Sequence, residues 1–340
     1  MRRLRSGLAF ALIAGLALLL SLGAGLERAW RRQPPPAAGD TIVIIKPGTS
    51  SRAIAAQLAA AGVLESPRGF LWGLRLRGEA DELRAGRYRC RRPSSPAALA
   101  EQLRLGLTEK LRLTLREGLW LDETVAAIAV QLELDSLELA RCVRDPASWP
   151  THAFLAGRPD LEGFLMPDTY AFEYPVSAGE VIATLLGAFD RTLDALRAGA
   201  RPGWSMDPLA WTTLASIVEA EAYLDRERPR IARVYLNRLA RGMRLEADPT
   251  VLYALGERRL RVFHRDLRVD SPYNTYRHKG LPPGPICSPG RASLAAPLAA
   301  DPQDRSLFFV ADGTGGHRFA ATFAEHKLNV AALRRLRQGS

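Results

Sequence analysis

The stretch ASIVEAEAYL, residues 215–224, places two glutamates in a helix, predicted over 208–224, that is otherwise mostly apolar. One apolar stripe of this helix consists of Leu214, Ile217 and Val218. Glu221 falls on that stripe, because it follows these residues at helical spacings of seven, four and three. Glu219 points about 160° away from it, which predicts an ordinary carboxylate facing solvent or a polar neighbour. The helix therefore belongs to a core in which Glu221 is the unexpected residue.

A carboxyl group in an apolar stripe has two physical explanations. Burial of an unpaired carboxylate costs several kcal/mol, so Glu221 either pairs with a cation or keeps its proton. A carboxyl group protonated near neutral pH is what a general acid requires. The alternative is a structural ion pair with Arg233 or Arg238 of the next helix, predicted over 228–241. Periodicity alone favours the ion pair.

Charge and length bound the remaining possibilities. The 340 residues predict two or three folded units, and a net charge of +11 predicts acidic partners, namely nucleic acid, anionic lipid or an anionic polymer. The sequence lacks a Walker loop, a paired-Cys zinc site and an aromatic RNA-binding signature, so nucleic acid is not expected.

The N-terminus has the pattern of a membrane anchor. Residues 7–26 contain no charge and are long enough to cross a bilayer, which favours an uncleaved anchor over a signal peptide. Arginines flank both ends of this segment. The free N-terminal amine adds positive charge before it and Glu27 adds negative charge after it, which favours a cytoplasmic N-terminus. We expect a cytoplasmic tip and anchor over 1–30, with the body outside the cytoplasm.

Cysteine and histidine spacing predicts neither a metal site nor a cofactor. The cysteines are too few and too scattered for a disulfide framework: Cys90, Cys142 and Cys287. Buried or partly buried thiols are expected, with one disulfide as the alternative. The histidines match no metal-ligand spacing.

The order of elements predicts an α+β protein. A stiff linker, RRQPPPAAGD, occupies 31–40 and is followed by a strand, two helices and a returning strand. This β-α-α-β order looks like a LysM-type module, a class that binds glycan backbones. With a further helix and strand it forms a region over 41–142. A stretch rich in proline and aromatic residues then begins the C-terminal part, 143–340.

Four ordered segments carry a resemblance to a known family. They are ASIVEAEA, VYLNRLARGMRLEADPTVLYALGE, YNTYRHKGLPPGPICSPG and LFFVADGTGGHRF. Together they are very similar to the membrane-anchored endolytic murein transglycosylases, the YceG-like (MltG) family. EGFLMPDTY, KPGTSSRAIAAQL and the anchor extend the resemblance over nearly the whole chain.

The resemblance implies a catalytic domain over 143–340 that cleaves the MurNAc–GlcNAc bond of nascent peptidoglycan strands and limits their elongation. The muramic 6-hydroxyl replaces water as nucleophile and leaves a 1,6-anhydro end, so one carboxyl group can act as acid and then as base. The family's catalytic glutamate corresponds to Glu221, which the helical wheel also selects, and Glu219 is the alternative. The resemblance also implies no cofactor, a single-pass protein of the cytoplasmic membrane with a periplasmic body, and peptidoglycan synthases as partners.

Six further motif residues are candidates for substrate binding: Tyr273, Asn274, Thr275, Tyr276, Asn237 and Asp248. Other roles stay open, because the tyrosines could pack the loop and Asp248 could cap a helix that begins near Thr250. Asn237 and Arg238 could instead hold Glu221 in place. Two other functions also remain: a membrane-tethered wall-binding scaffold without turnover, and a lysozyme-type hydrolase that leaves reducing ends.

Overall fold

The computed structural model describes residues 2–35, 38–259 and 261–338. Met1, residues 36 and 37 of the predicted linker, and residues 260, 339 and 340 of the predicted catalytic domain lie outside this description. The helices of the described chain are α1 (Arg2–Arg31), α2 (Ser51–Ala60), α3 (Pro67–Arg77), α4 (Pro96–Leu105), α5 (Leu121–Leu132), α6 (Ser136–Val143), α7 (Ala178–Ala198), α8 (Pro208–Glu221), α9 (Arg228–Ala240), α10 (Asp248–Leu255), α11 (Arg291–Ala299) and α12 (Phe323–Gln338). The strands are β1 (Ala38–Ile45), β2 (Gly86–Arg92), β3 (Leu111–Thr114), β4 (Thr169–Phe172), β5 (Phe308–Ala311) and β6 (His317–Ala320).

The chain divides into two compact units, of which the first comprises Met1–Leu111 and Ala171–Val176. Its strands β1 and β2 pair antiparallel, with α2 and α3 between them in sequence. The β-branched run of β1 alternates, so that Val43 and Ile45 enter the core. The predicted β-α-α-β order and the α+β class are therefore confirmed.

The second unit comprises Arg112–Tyr170 and Ser177–Ser340. At its centre α8 packs against α9, α10 and α11, and every residue from 211 to 218 is buried. Asp207 caps the start of α8 by accepting hydrogen bonds from two backbone amides. The helix ends at Glu221 because Ala222 adopts an extended backbone, three residues before the predicted end. Glu221 therefore occupies the last position of a central helix.

The division between the units differs from the predicted boundary at 142–143. That boundary falls inside α6, which packs against α5 and α7 and buries Leu139 and Val143. Its apolar face is covered by helices of the second unit. The chain divides at Leu111 instead.

Helix α1 is the candidate membrane anchor. Its segment Ile13–Arg31 is long and apolar enough to cross a membrane, judged by length and composition. The three cysteines are free thiols in this structure; Cys90 and Cys287 are buried and Cys142 is half-buried.

Candidate active site

Glu221 opens onto a small cavity in the second unit. The cavity has a volume of about 180 Å³, and we call it the Glu221 cavity. It is lined by Glu221, Tyr235, Arg238, Leu245, Glu246, Asp248, Tyr276 and Phe309. These residues come from α8, α9, the α9–α10 connection, α10, the loop near residue 276 and β5. The site is therefore assembled from segments that are up to 88 positions apart in sequence.

Tyr235 holds the carboxyl group of Glu221. Its hydroxyl donates a hydrogen bond of 2.9 Å to Oε1 of Glu221. Tyr235 is 1% exposed, and burial raises the pKa of its phenol well above the usual value. The phenol is therefore neutral at physiological pH and acts as a donor to Glu221.

The surroundings of Glu221 raise its pKa to about 7. Burial is the largest cause, because it penalises the charged form, and the negative charge of Asp248 acts in the same direction. The bond from Tyr235 and the charge of Arg238 act in the opposite direction. The position of Glu221 at the carbonyl end of α8 further disfavours a negative charge. A substantial fraction of Glu221 is therefore protonated at neutral pH.

In the described chain neither Arg233 nor Arg238 forms an ion pair with Glu221, so the predicted alternative of a structural ion pair is wrong for both. Arg238 donates to the backbone oxygens of Leu245 and Leu307, each at 2.7 Å, and pairs with Glu246 at 3.3 Å. Arg233 donates to a backbone oxygen of the 301–306 loop. Arg238 thus braces the wall of the Glu221 cavity without neutralising Glu221 directly.

The buried ion pair of α8 belongs to Glu219 instead. Its Oε1 lies 3.2 Å from Nη1 of Arg228, and both side chains are only 8% exposed. Its Oε2 also accepts a hydrogen bond from the backbone amide of Gly290 at 3.0 Å. Of the two predicted surroundings, solvent is wrong and a polar neighbour is confirmed. The helical wheel could not show this, because α8 is enclosed on several sides.

Two of the predicted binding residues line the Glu221 cavity. Tyr276 donates a hydrogen bond of 2.6 Å from its hydroxyl to Oδ1 of Asp248. Asp248 is exposed and is the first residue of α10, whose N-cap is Ala247. The predicted capping role of Asp248 is therefore wrong. Asp248 lines the cavity together with Glu221.

The other four predicted binding residues lie outside the cavity lining. The amide of Asn274 donates to two backbone oxygens, and so does the amide of Asn237. Thr275 bonds to the backbone amide of Ala247 and to Thr250, while Tyr273 packs against Tyr253. These contacts stabilise the loops that form the cavity walls.

Sequence reasoning missed four wall residues, Tyr235, Leu245, Glu246 and Phe309. Tyr235 precedes Arg238 by three positions, so the two residues lie on one face of α9. This spacing was the signal that could have identified Tyr235 as a wall residue. Glu246 has a left-handed backbone with φ of 49°, a strained conformation in a residue other than glycine. No local pattern marks Phe309, which β5 brings to the cavity.

Burial of a carboxyl group does not by itself identify the site. Burial also raises the pKa of Glu162, to about 8. Its Oε2 accepts bonds from the amide of Leu121 and the hydroxyl of Tyr253, so it joins α5 to α10. It does not line the Glu221 cavity. Among the described residues, no group of three or more His, Cys, Asp or Glu side chains could hold a metal ion.

A carboxyl group with a raised pKa near a second carboxylate is an arrangement found in enzymes that cleave glycosidic bonds, among others. Residues 43–332 match the model of the YceG-like family, and the chain belongs to this family. A relative from Bacillus subtilis, named endolytic murein transglycosylase, is 32% identical over 296 residues, 83% of this chain and 81% of the relative.

Two further comparisons agree with this family. A protein of the same name from Streptococcus pneumoniae is 29% identical over 318 residues, and the match covers 84% of this chain but only 57% of that relative. The crystal structure of a YceG-like protein from Listeria monocytogenes superposes with a TM-score of 0.59 and is 32% identical. That match covers 86% of this chain and 99% of the other.

Proposed function

We propose that this chain is an endolytic transglycosylase that cleaves the MurNAc–GlcNAc bond of peptidoglycan strands, with Glu221 as its acid and base. The observation that carries this proposal is the state of Glu221. Its carboxyl group lies in a cavity, is held by the Tyr235 hydroxyl, forms no arginine pair in the described chain, and has a pKa raised to about 7. Family membership and the names of the relatives supply the substrate class.

The reaction needs one proton donor that later becomes an acceptor. Glu221 donates its proton to the bridging oxygen as the bond from C1 to that oxygen breaks. The 6-hydroxyl of the same muramic residue then bonds to C1 and gives its proton to the Glu221 carboxylate. The enzyme regains its starting state, and no water is consumed. A pKa near 7 suits both halves, because the group must give and take a proton at similar pH.

Asp248 supplies the second charge. Positive charge develops on the sugar ring as the glycosidic bond breaks, and a nearby carboxylate stabilises it. The hydrogen bond from Tyr276 holds the Asp248 carboxylate in the lining of the Glu221 cavity. The same negative charge raises the pKa of Glu221 and so keeps the acid protonated. Asp248 therefore acts on the substrate and on the acid.

The first unit would hold the strand and place the enzyme. Its β-α-α-β order supports a LysM-like, glycan-binding role for this region. Helix α1, as a single-pass anchor with the body on the periplasmic side, would keep the catalytic unit near the membrane. Strands are polymerised there, so peptidoglycan synthases are the expected partners.

The test is digestion of purified glycan strands by the detergent-solubilised full-length chain, with products read by mass spectrometry. We expect anhydro-ended products, each lighter by one water than a hydrolytic product. Glu221→Gln should lower their rate roughly 10²- to 10⁴-fold, the range for loss of a general acid. Glu138→Gln on the exposed face of α6 is the matched control and should match the unmodified chain.

Each alternative function has its own outcome in this digest. Reducing ends in place of anhydro ends would show a lysozyme-type hydrolase. Strand binding without products would show a scaffold. Full activity of Glu221→Gln would remove Glu221 from the chemistry and overturn the proposal.

A further inference from the structure

Helix α3 of the first unit exposes large apolar side chains on one face. Trp72 is 65% exposed and Leu76 is 62% exposed, and they lie one helical turn apart. Arg68 lies a further turn towards the start of the helix on the same face, and Arg75 lies beside Leu76; both are exposed. An exposed tryptophan and leucine flanked by arginines indicate a surface that contacts something apolar with negative charge at its edge.

This face is fixed beside the end of the candidate anchor. A Cβ atom on Gly73 would lie only 2.0 Å from the ring of Trp30, so glycine permits the close approach of α3 to α1. Trp30 stacks on Phe70 with ring centroids 5.9 Å apart. Arg77 forms an ion pair with Glu27 and lies over the Trp30 ring. Helix α3 is therefore locked against residues 27–30 of α1.

The contact between α3 and α1 lies directly after the uncharged segment of α1. Residues 7–26 carry no charge, and about 20 residues cross the hydrocarbon core, so residues 27–31 would reach the headgroup layer. A cavity of about 430 Å³ lies beside this contact, and its lining includes Leu26, Ala29, Trp72 and Leu76. Arg32 and Arg68 also line it, and Arg28 and Arg31 of α1 and Arg75 of α3 are exposed.

We propose that α3 is an interfacial helix, which lays Trp72 and Leu76 on the bilayer beside the anchor and presents its arginines to anionic lipid headgroups. Tryptophan is favoured at the boundary between headgroups and acyl chains, and each arginine near an anionic surface adds attraction. The occupant of this face is the membrane itself, because α1 would bring the bilayer to the same level. The first unit would then keep a fixed orientation on the membrane.

The test uses the full-length chain reconstituted in vesicles of phosphatidylcholine and phosphatidylglycerol, with insertion verified by co-flotation. Lipids brominated near the carboxyl end of the acyl chains quench tryptophans at that depth. We expect Trp72→Phe to lose a distinct part of the quenchable emission. The matched control, Trp149→Phe in the second unit, should leave the quenchable part unchanged.

A second measurement tests the headgroup contact. Quenching of Trp72 should be stronger when the bromine is on phosphatidylglycerol than on phosphatidylcholine at equal bulk composition. The variant Arg68→Gln/Arg75→Gln should reduce that preference. Equal quenching losses in Trp72→Phe and Trp149→Phe would overturn the proposal. So would emission from Trp72 that changes with the protein-to-lipid ratio and not with the brominated lipid. The second result would show that another copy of the chain covers α3.

Discussion

Glu219 and Glu221 stand one residue apart at the end of α8, yet in the described chain only Glu219 is paired with an arginine. Glu219 bonds to Arg228, whereas Glu221 bonds to the neutral hydroxyl of Tyr235. An arginine partner supplies a compensating charge to a buried carboxylate, while a phenol partner donates a hydrogen bond without a charge. The two partners therefore separate a carboxylate in a structural ion pair from the one that we propose as the acid.

Loss of Glu219 should destabilise the fold. Glu219→Gln leaves Arg228 buried with one charged partner fewer, and we expect the free energy of unfolding to fall by about 3 kcal/mol. Urea denaturation measures it. Asp194→Asn removes the partner of an exposed pair with Arg197 and should change stability by less than about 0.5 kcal/mol. Equal effects of the two variants would contradict a structural role for the buried pair.

The pH dependence of cleavage should follow Glu221 and respond to Tyr235. The acid form is present below the pKa of about 7, so the rate should fall as the pH rises through that value. The Tyr235 bond favours the charged form, so Tyr235→Phe should raise this pKa by about one unit and move the alkaline limb upwards. Rate profiles with glycan strands test both. An unmoved limb would show that Tyr235 does not control the acid.

Replacement of Asp248 should move the same limb in the opposite direction. The charge of Asp248 raises the pKa of Glu221, so Asp248→Asn should lower that pKa and shift the limb to lower pH. We also expect a rate loss of roughly tenfold or more below the limb, because stabilisation of the developing positive charge is lost. A rate loss with no shift would limit Asp248 to substrate contact.

The buried carboxyl group of Glu221 should reduce stability at alkaline pH. The pKa of Glu221 rises from 4.5 to about 7 on folding, so between these values the unfolded chain releases its proton first. The free energy of unfolding should therefore fall by about 3 kcal/mol as pH rises through this window. Glu221→Gln has no proton to lose at this position, so its free energy of unfolding should increase relative to that of the unmodified chain at high pH. Parallel urea titrations at acidic and alkaline pH measure the difference, and Glu138→Gln should show no gain.

Local pattern was enough to predict strand β1 of the first unit and helix α8, which carries Glu221. The β-branched run of β1 and the helical periodicity of α8 predict their structures because each depends on neighbours in sequence. The same periodicity selected Glu221. It could not decide whether Arg233 or Arg238 pairs with Glu221. A helical wheel gives the direction of each side chain around one helix axis, but it does not show which side chains of another helix lie in that direction.

The roles of individual residues in the loop motifs could be assigned only from the tertiary structure. Asn274, Thr275 and Tyr276 are consecutive, but the first two bond to protein and only the third lines the Glu221 cavity. Loops lack a fixed repeat, so neighbouring side chains can face a cavity or the protein interior with no signal in the sequence.

The sequence by itself determined the element order, the apolar anchor candidate, the family and the identity of the unusual glutamate. The tertiary structure decided which glutamate is paired with arginine, which residues surround Glu221 and where the two units divide. The physical reason is distance along the chain. Helices and strands form from contacts a few residues apart, whereas the proton affinity of Glu221 depends on Tyr235 and Asp248, which only packing brings near it.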